Sequence, residues 1–160
     1  MSVRFNREHR VKTEVEQPGR LVFLSLGIHV QNITARHKRI LFIEDDRFIA
    51  DMYRLGLEAG GWPVDVAHDG ESGVSQALAD PPALILLDLL LPRMDGFEVL
   101  RRIRSNASTK DIPVLVVSNA SGLGGREAEA RKLGIVDWMV KANTTPATLV
   151  RRVERVLAAG

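Results

Sequence analysis

Short apolar runs alternate with amphipathic stretches along the chain from Arg39 onward. The runs are rich in Val, Ile and Leu and are bounded by turn residues, which is typical of buried β-strands. The five predicted strands are "RILFIE" (39–44), "PVDVA" (63–67), "ALILLD" (83–88), "PVLVVS" (113–118) and "DWMVK" (137–141).

Stretches of helical periodicity separate these strands. Five helices are predicted. The first two cover 47–59 and 71–79, and the third opens at Asp95-Gly96 and contains Phe97, Leu100, Ile103 and Arg104. The fourth covers about 124–133, and the last begins at Pro146. Pro is a good first helical residue, and Thr145 before it is a suitable N-cap.

The spacing of apolar residues predicts which helix faces are buried. In the first helix, recurrence at i, i+4, i+7 and i+11 predicts a buried face of Phe48, Met52, Leu55 and Ala59, and Gly60-Gly61 ends the helix. In the last helix the expected buried residues are Leu149, Val153, Val156 and Leu157.

This alternation predicts an α/β fold, namely a doubly wound five-stranded parallel sheet with helices on both faces. In such sheets ligands bind beyond the carboxyl ends of the strands, at the point where the strand order reverses. The polar residues that end each strand are therefore the candidates for a functional site.

Composition adds a few constraints. The 160 residues are 45% hydrophobic and 26% charged, which is typical of one globular domain. The lack of cysteine excludes disulfides and thiolate metal sites and fits a cytoplasmic protein. Residues 39–160 carry fifteen Lys/Arg against seventeen Asp/Glu, without a compact basic stripe, so no direct nucleic-acid binding is expected.

Residues 1–38 are interpreted as an extension that precedes a domain at 39–160, and they carry seven Lys/Arg against three Asp/Glu. They could be disordered, an added strand at the sheet edge, a dimer arm, or upstream sequence from a misassigned start. The apolar segment 21–30 is too short to span a bilayer and lies too late to be a signal sequence, so a stray strand or short helix is expected and no membrane partner is.

Polar residues end four of the predicted strands. They are Glu44-Asp45-Asp46, Asp88, Ser118-Asn119 and Lys141. Asp88 interrupts an otherwise apolar run, and a buried carboxylate requires a cation, a proton or an opening to solvent. Since clustered carboxylates repel one another and oxygen donors favour hard ions, Mg²⁺ is the natural cation here. Asp46 is instead well placed as the N-cap of the first helix.

These features resemble the receiver domain of bacterial two-component response regulators, of the stand-alone single-domain type. The matching text is "ILFIEDDRFIADMYRLGLEAGGWPVDVAHDG", "ALILLDLLLPRMDGFEVLRRIR", "IPVLVVSNA" and "GIVDWMVKA", within about 39–158. The resemblance implies a flavodoxin-like sheet with strand order 2-1-3-4-5. It also implies a signalling phosphoprotein of a phosphorelay, which receives a phosphoryl group from a histidine kinase or a phosphotransfer protein.

The resemblance assigns a role to each candidate residue. Asp88 is the expected phosphoacceptor. The expected Mg²⁺ ligands are Asp45 directly, Glu44 through water, Asp88, and the backbone carbonyl of Leu90. Ser118 and Lys141 are expected to contact the phosphoryl group, and Ser118 and Trp138 to form the switch. These roles fit phosphoryl transfer, in which cations and hydroxyl donors stabilise charge on the equatorial oxygens.

Two positions depart from the family's usual pattern. Ala142 follows Lys141 where the family usually has Pro, often after a cis bond; a cis bond before Ala would cost ~3 kcal/mol, so either the loop is trans or its neighbours hold the strain. The switch aromatic is Trp138 rather than the commoner Tyr or Phe. Leu90 and Ala120 cannot orient a water molecule, so slow self-dephosphorylation is expected. The protein would then be a self-phosphorylating acceptor rather than an enzyme.

The expected output is a change of protein partner. No sequence follows Gly160, so the signal is expected to leave through another protein at the face of the fourth and fifth helices, or by onward relay, and a homodimer is left open. The alternatives are a pseudo-receiver that only binds and, less favoured, a haloacid-dehalogenase-like phosphatase. The latter places its nucleophile after the first strand, where this chain has Glu44-Asp45-Asp46.

Overall fold

A computed structural model describes residues 38–119 and 125–159. Within them, five parallel strands form one sheet in the order β2-β1-β3-β4-β5. The strands are β1 (Ile40–Ile43), β2 (Val64–Ala67), β3 (Leu84–Leu87), β4 (Val114–Val117) and β5 (Asp137–Met139). The predicted α/β fold and strand order are confirmed. The expectations for the extension, including 21–30, lie outside the described residues.

Five helices connect and flank the strands. They are α1 (Arg47–Ala59), α2 (Gly70–Ala79), α3 (Gly96–Ser105), α4 (Arg126–Lys132) and α5 (Pro146–Ala158). Side-chain oxygens of Asp46, Asp69, Asp95 and Thr145 accept backbone N–H groups in the first turns of α1, α2, α3 and α5. These caps satisfy donors that a helix start leaves unpaired, so the predicted capping roles of Asp46 and Thr145 are confirmed.

The last strand is shorter than the sequence predicts. Lys141–Asn143 form a 3-10 turn one residue after β5, in which the Asn143 N–H donates to the Val140 carbonyl at 3.0 Å. This turn lifts the chain out of the sheet at Lys141, so that the lysine starts a loop and does not end a strand.

Each face of the sheet covers its own hydrophobic core. One core packs under α1 and α5 and includes Phe42, Leu86 and Leu115. The other packs under α2 and α3 with part of α4, and includes Ile85 and Val116. β1, β3 and β4 are buried along their whole length, which explains why they are almost continuously apolar.

The predicted buried face of α1 is wrong. Phe48 is 77% exposed and Leu55 62% exposed, while the buried residues of this helix are Ala50, Tyr53 and Leu57. Both stripes have helical spacing, so periodicity alone could not choose between them. The choice comes from α5 and the sheet, on which the second stripe packs, whereas of the first stripe only Met52 is partly buried against this core.

Val156 of α5, expected to be buried, is only partly so, whereas Leu149, Val153 and Leu157 are in the core. Among the described residues, no helix has the length and apolar character required to cross a membrane.

Candidate functional site

The carboxyl ends of four strands bring the candidate side chains to one edge of the sheet. Ile43 of β1 is paired with Leu87 of β3, so Glu44 and Asp88 leave the sheet side by side. The pairing of β3 with β4 and of β4 with β5 brings Ser118 and Lys141 to the same edge. The residues predicted from the strand ends therefore lie together in space.

Asp88 is the centre of this cluster, and it is 3% exposed. Its Oδ1 accepts hydrogen bonds from the Ser118 hydroxyl at 2.6 Å and from the Leu90 N–H at 3.0 Å. Its Oδ2 lies 2.5 Å from the Lys141 ammonium. Both carboxylate oxygens are thus held by donors, which fixes the orientation of a buried charged group.

Gly96 fixes the backbone at the same place. A Cβ on this residue would lie 2.5 Å from both the Asp88 carbonyl oxygen and the Leu89 Cα. Since the Gly96 N–H also donates to the Leu89 carbonyl at 3.1 Å, the start of α3 packs directly on the chain that carries Asp88. A side chain at position 96 would displace this segment.

Lys141 bridges two carboxylates. Its Nζ lies 2.5 Å from Glu44 Oε2 as well as from Asp88 Oδ2, and the side chain is 11% exposed. Burial by itself lowers the pKa of Lys141, but hydrogen bonds to Asp88 and Glu44 outweigh it, so that the pKa is raised. Lys141 is therefore a fixed positive charge in the site.

Glu44 is fully buried, and its Oε1 accepts the Asp46 N–H at 3.2 Å. Burial raises the pKa of its carboxyl, although the hydrogen bond from Lys141 acts in the opposite direction. Asp45, the next residue, is exposed. Three carboxylate oxygens lie within 4.8 Å of one another, one each from Glu44, Asp45 and Asp88.

This donor set fits a hard divalent cation. Three carboxylates at one point offer only oxygen ligands, which Mg²⁺ and Mn²⁺ prefer, and one of the three faces the solvent from which an ion would enter. Lys141 contacts two of these three acidic groups, and a divalent cation would reduce the remaining repulsion among them.

An open cleft leads to Asp88. It is lined on one side by Ile49, Met52 and Tyr53 of α1 and on the other by Asn119, Ala142 and Thr144. The sequence marked Asn119 only as a strand end and gave no role to Tyr53, whose hydroxyl donates to the Thr144 carbonyl at 2.8 Å. This contact has no local sequence signal, since 91 positions separate Tyr53 from Thr144.

The remaining candidates lie close to this centre. Trp138 is partly buried and packs against the core under α2 and α3. Leu90 is 46% exposed and contributes its N–H to Asp88. Ala120, the other residue on which the expected phosphoryl lifetime depends, is outside the described residues.

The described residues contain no cis peptide bond, so the bond between Lys141 and Ala142 is trans. The Ala142 N–H donates to Asn119 Oδ1 at 2.9 Å. The sequence left open whether the bond between Lys141 and Ala142 is cis or trans. Because it is trans, this loop contains no strained cis peptide bond.

Comparison with known proteins agrees with this geometry. The family model described as "Response regulator receiver domain" matches residues 40–154. The transcriptional regulator RpaA of Synechocystis sp., described as DNA-binding, is 46% identical over 113 residues, which are 71% of this chain and 46% of RpaA. This chain thus spans about half the length of that relative.

Solved structures show the same fold. The chemotaxis protein CheY4 of Vibrio cholerae has a TM-score of 0.68 and 27% identity, covering 74% of this chain and 97% of CheY4. The Mn²⁺-bound form of response regulator Rcp1 has a TM-score of 0.65 and 26% identity, covering 73% of this chain and 91% of Rcp1.

Proposed function

The chain belongs to the receiver domain family of two-component response regulators, and from that premise we propose that Asp88 is its phosphoacceptor. The phosphoryl group would come from a histidine kinase or a phosphotransfer protein, with Mg²⁺ as the cofactor. We also propose that the protein is cytoplasmic, as the sequence predicts.

One observation carries the proposal: the buried Asp88 carboxylate lies between an ammonium, a hydroxyl and two further carboxylates at an open cleft. A purely structural aspartate would need a single cap or ion pair. Here the acceptor, the donors and the acidic groups occur together, as phosphoryl transfer to a carboxylate requires.

In the proposed reaction an Asp88 oxygen forms a bond to phosphorus while the bond from phosphorus to the donor nitrogen or oxygen breaks, and the leaving group keeps that electron pair. Lys141 stabilises negative charge on the transferred oxygens, and the Ser118 hydroxyl donates to one of them. The Leu90 N–H holds the acceptor carboxylate in position.

Mg²⁺ would be held by Glu44, Asp45, Asp88 and the Leu90 carbonyl. When bound, the ion neutralises phosphoryl charge as the transition state forms. Held between these carboxylates, the ion would also reduce their mutual repulsion.

The phosphorylated protein is expected to lose its phosphoryl group slowly. Leu90 has no polar side-chain atom, so it cannot position a water molecule for attack on the acyl phosphate. The protein would therefore act as a signalling acceptor that modifies itself, and not as an enzyme with a separate substrate.

We propose that a protein partner recognises the face made by α4, β5 and α5, and that Ser118 and Trp138 transmit the effect of phosphorylation to this face. Asp137 of β5 lies 2.7 Å from Arg152 of α5 and 3.9 Å from Arg131 of α4, so charged pairs connect the three elements. A change at Ser118 would reach this face through Trp138, and a protein partner would recognise the result.

The test is incubation of the purified protein with Mg²⁺ and acetyl phosphate, followed by intact-mass measurement. We expect the wild-type chain to gain one phosphoryl group and Asp88→Asn to gain none. Asp46→Asn is the matched control, because it keeps a capping side chain and lines the same cleft, and it should gain the group like the wild type.

Equal labelling of the wild type and Asp88→Asn would contradict the assignment of the acceptor. A wild-type protein that binds Mg²⁺ but gains no phosphoryl group from either acetyl phosphate or a phosphohistidine protein would indicate a binding module without phosphotransfer.

A further inference from the structure

The loop that begins at Lys141 is tied to the end of β4 by a side chain. Backbone hydrogen bonds between these segments end with the Ser118 N–H to Met139 carbonyl bond at 3.0 Å and the Lys141 N–H to Ser118 carbonyl bond at 3.4 Å. The next donor, the Ala142 N–H, bonds to Asn119 Oδ1 at 2.9 Å. The Asn119 side chain thus supplies the next acceptor after the strand pairing ends.

The other end of the same loop is anchored to a different helix. The Thr144 carbonyl accepts the buried Tyr53 hydroxyl at 2.8 Å, and the Thr144 hydroxyl donates to the Val140 carbonyl at 2.8 Å. Lys141 therefore lies between two anchors, Asn119 on the β4 side and Tyr53 on the α1 side.

The two anchors are important because the Lys141 ammonium has to be held against two carboxylates at once. Its ammonium contacts Glu44 and Asp88 at 2.5 Å each, at the end of a long side chain with many rotamers. The backbone from which it extends is a single 3-10 turn and not a strand, so it has little rigidity of its own. An added restraint one residue beyond Lys141 limits where its Cα can move.

We infer that Asn119 is a positioning residue, which holds Lys141 against Glu44 and Asp88 by accepting the Ala142 N–H. The role depends on an N–H at position 142, which Ala supplies and Pro would lack. The importance of this contact for phosphorylation rests on the proposed function, whereas its effect on Lys141 does not.

The first measurement is therefore independent of phosphorylation. Amine labelling with acetic anhydride, read by mass spectrometry, reports how often the Lys141 ammonium leaves its carboxylates, and exposed Lys110 and Lys132 serve as internal standards. We expect Asn119→Ala to raise the labelling rate of Lys141 about threefold to tenfold, as fits the loss of one ordinary hydrogen bond. Asn119→Asp keeps the acceptor and should protect Lys141 at least as well as the wild type.

The control is Asn143→Ala, which removes an exposed side chain of the same type from the same turn. It should leave Lys141 labelling unchanged. Ala142→Pro removes the donor, so adding Asn119→Ala to it should have no further effect. Equal Lys141 labelling in the wild type and Asn119→Ala, or an undiminished effect of Asn119→Ala when it is combined with Ala142→Pro, would overturn the inference.

Phosphorylation by acetyl phosphate with Mg²⁺ is measured on the same variants. We expect a rate about threefold to tenfold lower for Asn119→Ala and an unchanged rate for Asn143→Ala. A wild type that is not phosphorylated would refute the proposed function, while the labelling result would still decide the role of Asn119.

Discussion

Glu44 shows how one residue can be costly to the fold and useful to the site. Its side chain is fully buried, and burial raises the pKa of its carboxyl above the ordinary value of 4.5. The folded state therefore holds the Glu44 proton more tightly than the unfolded chain does. The contribution of Glu44 to the free energy of unfolding is fully present below pH 4.5 and is lost as the pH rises through the folded-state pKa.

We predict that Glu44→Gln, which is uncharged at every pH, escapes this loss. Without divalent ions, the free energy of unfolding of Glu44→Gln minus that of the wild type should increase from pH 4.5 toward neutrality. Urea denaturation at several pH values measures this difference, and Glu58→Gln on the surface of α1 controls for removal of a carboxylate. A difference that stays constant or decreases over this range would contradict the prediction.

At the scale of the element, α1 carries apolar residues on two faces. Tyr53 and Leu57 pack in the core with α5, whereas Phe48 and Leu55 project into solvent. The same residue type in the same helix thus occurs in opposite environments, at Leu55 and Leu57. This pair allows a direct test of which face is buried.

We expect Leu57→Ala to destabilise the protein by about 2–5 kcal/mol, because it removes buried methyl groups and leaves a cavity. Leu55→Ala should change the free energy of unfolding by less than about 0.5 kcal/mol, as is usual for an exposed site. Denaturant unfolding of the two variants under one set of conditions compares them. Similar losses for both would mean that α1 packs in another orientation.

α4 is attached in a different way from the other helices. Ala130 is its only buried residue, and its contacts with α3 are largely polar. Arg126 lies 5.0 Å from the centre of the Phe97 ring, Arg101 lies 3.1 Å from Glu129, and Arg104 donates to the carbonyls of Leu133 and Gly134. Exposed ion pairs contribute little to stability. The buried Ala130 and the Arg104 hydrogen bonds to the residues just after α4 are the less exposed parts of this attachment.

At the scale of the whole molecule, stability and chemistry are separated in space. Two cores cover the faces of the sheet, while the acidic cluster lies at one edge, beyond the strand ends. Because the carboxylates repel one another and Lys141 is the one ammonium among the described residues that contacts them, a cation that binds there should stabilise the entire fold.

We predict that Mg²⁺ raises the midpoint of thermal unfolding of the wild type. At a concentration about 100 times its dissociation constant, the gain in free energy of unfolding should be about 2.7 kcal/mol. Asp45→Asn, which changes the exposed member of the proposed ligand set, should lose most of this gain, as measured by calorimetry with and without Mg²⁺. Equal shifts in both proteins would place the ion elsewhere.

The sequence by itself determined the order of strands and helices, because hydrophobic periodicity and capping residues are local properties. It also predicted the cluster of Glu44, Asp88, Ser118 and Lys141, since parallel strands deliver their carboxyl ends to one edge. Only the tertiary structure decided that Tyr53 and Leu57 face the core and that Asn119 bonds to Ala142. These features depend on which distant segment covers each surface, and such contacts leave no periodic trace in the chain.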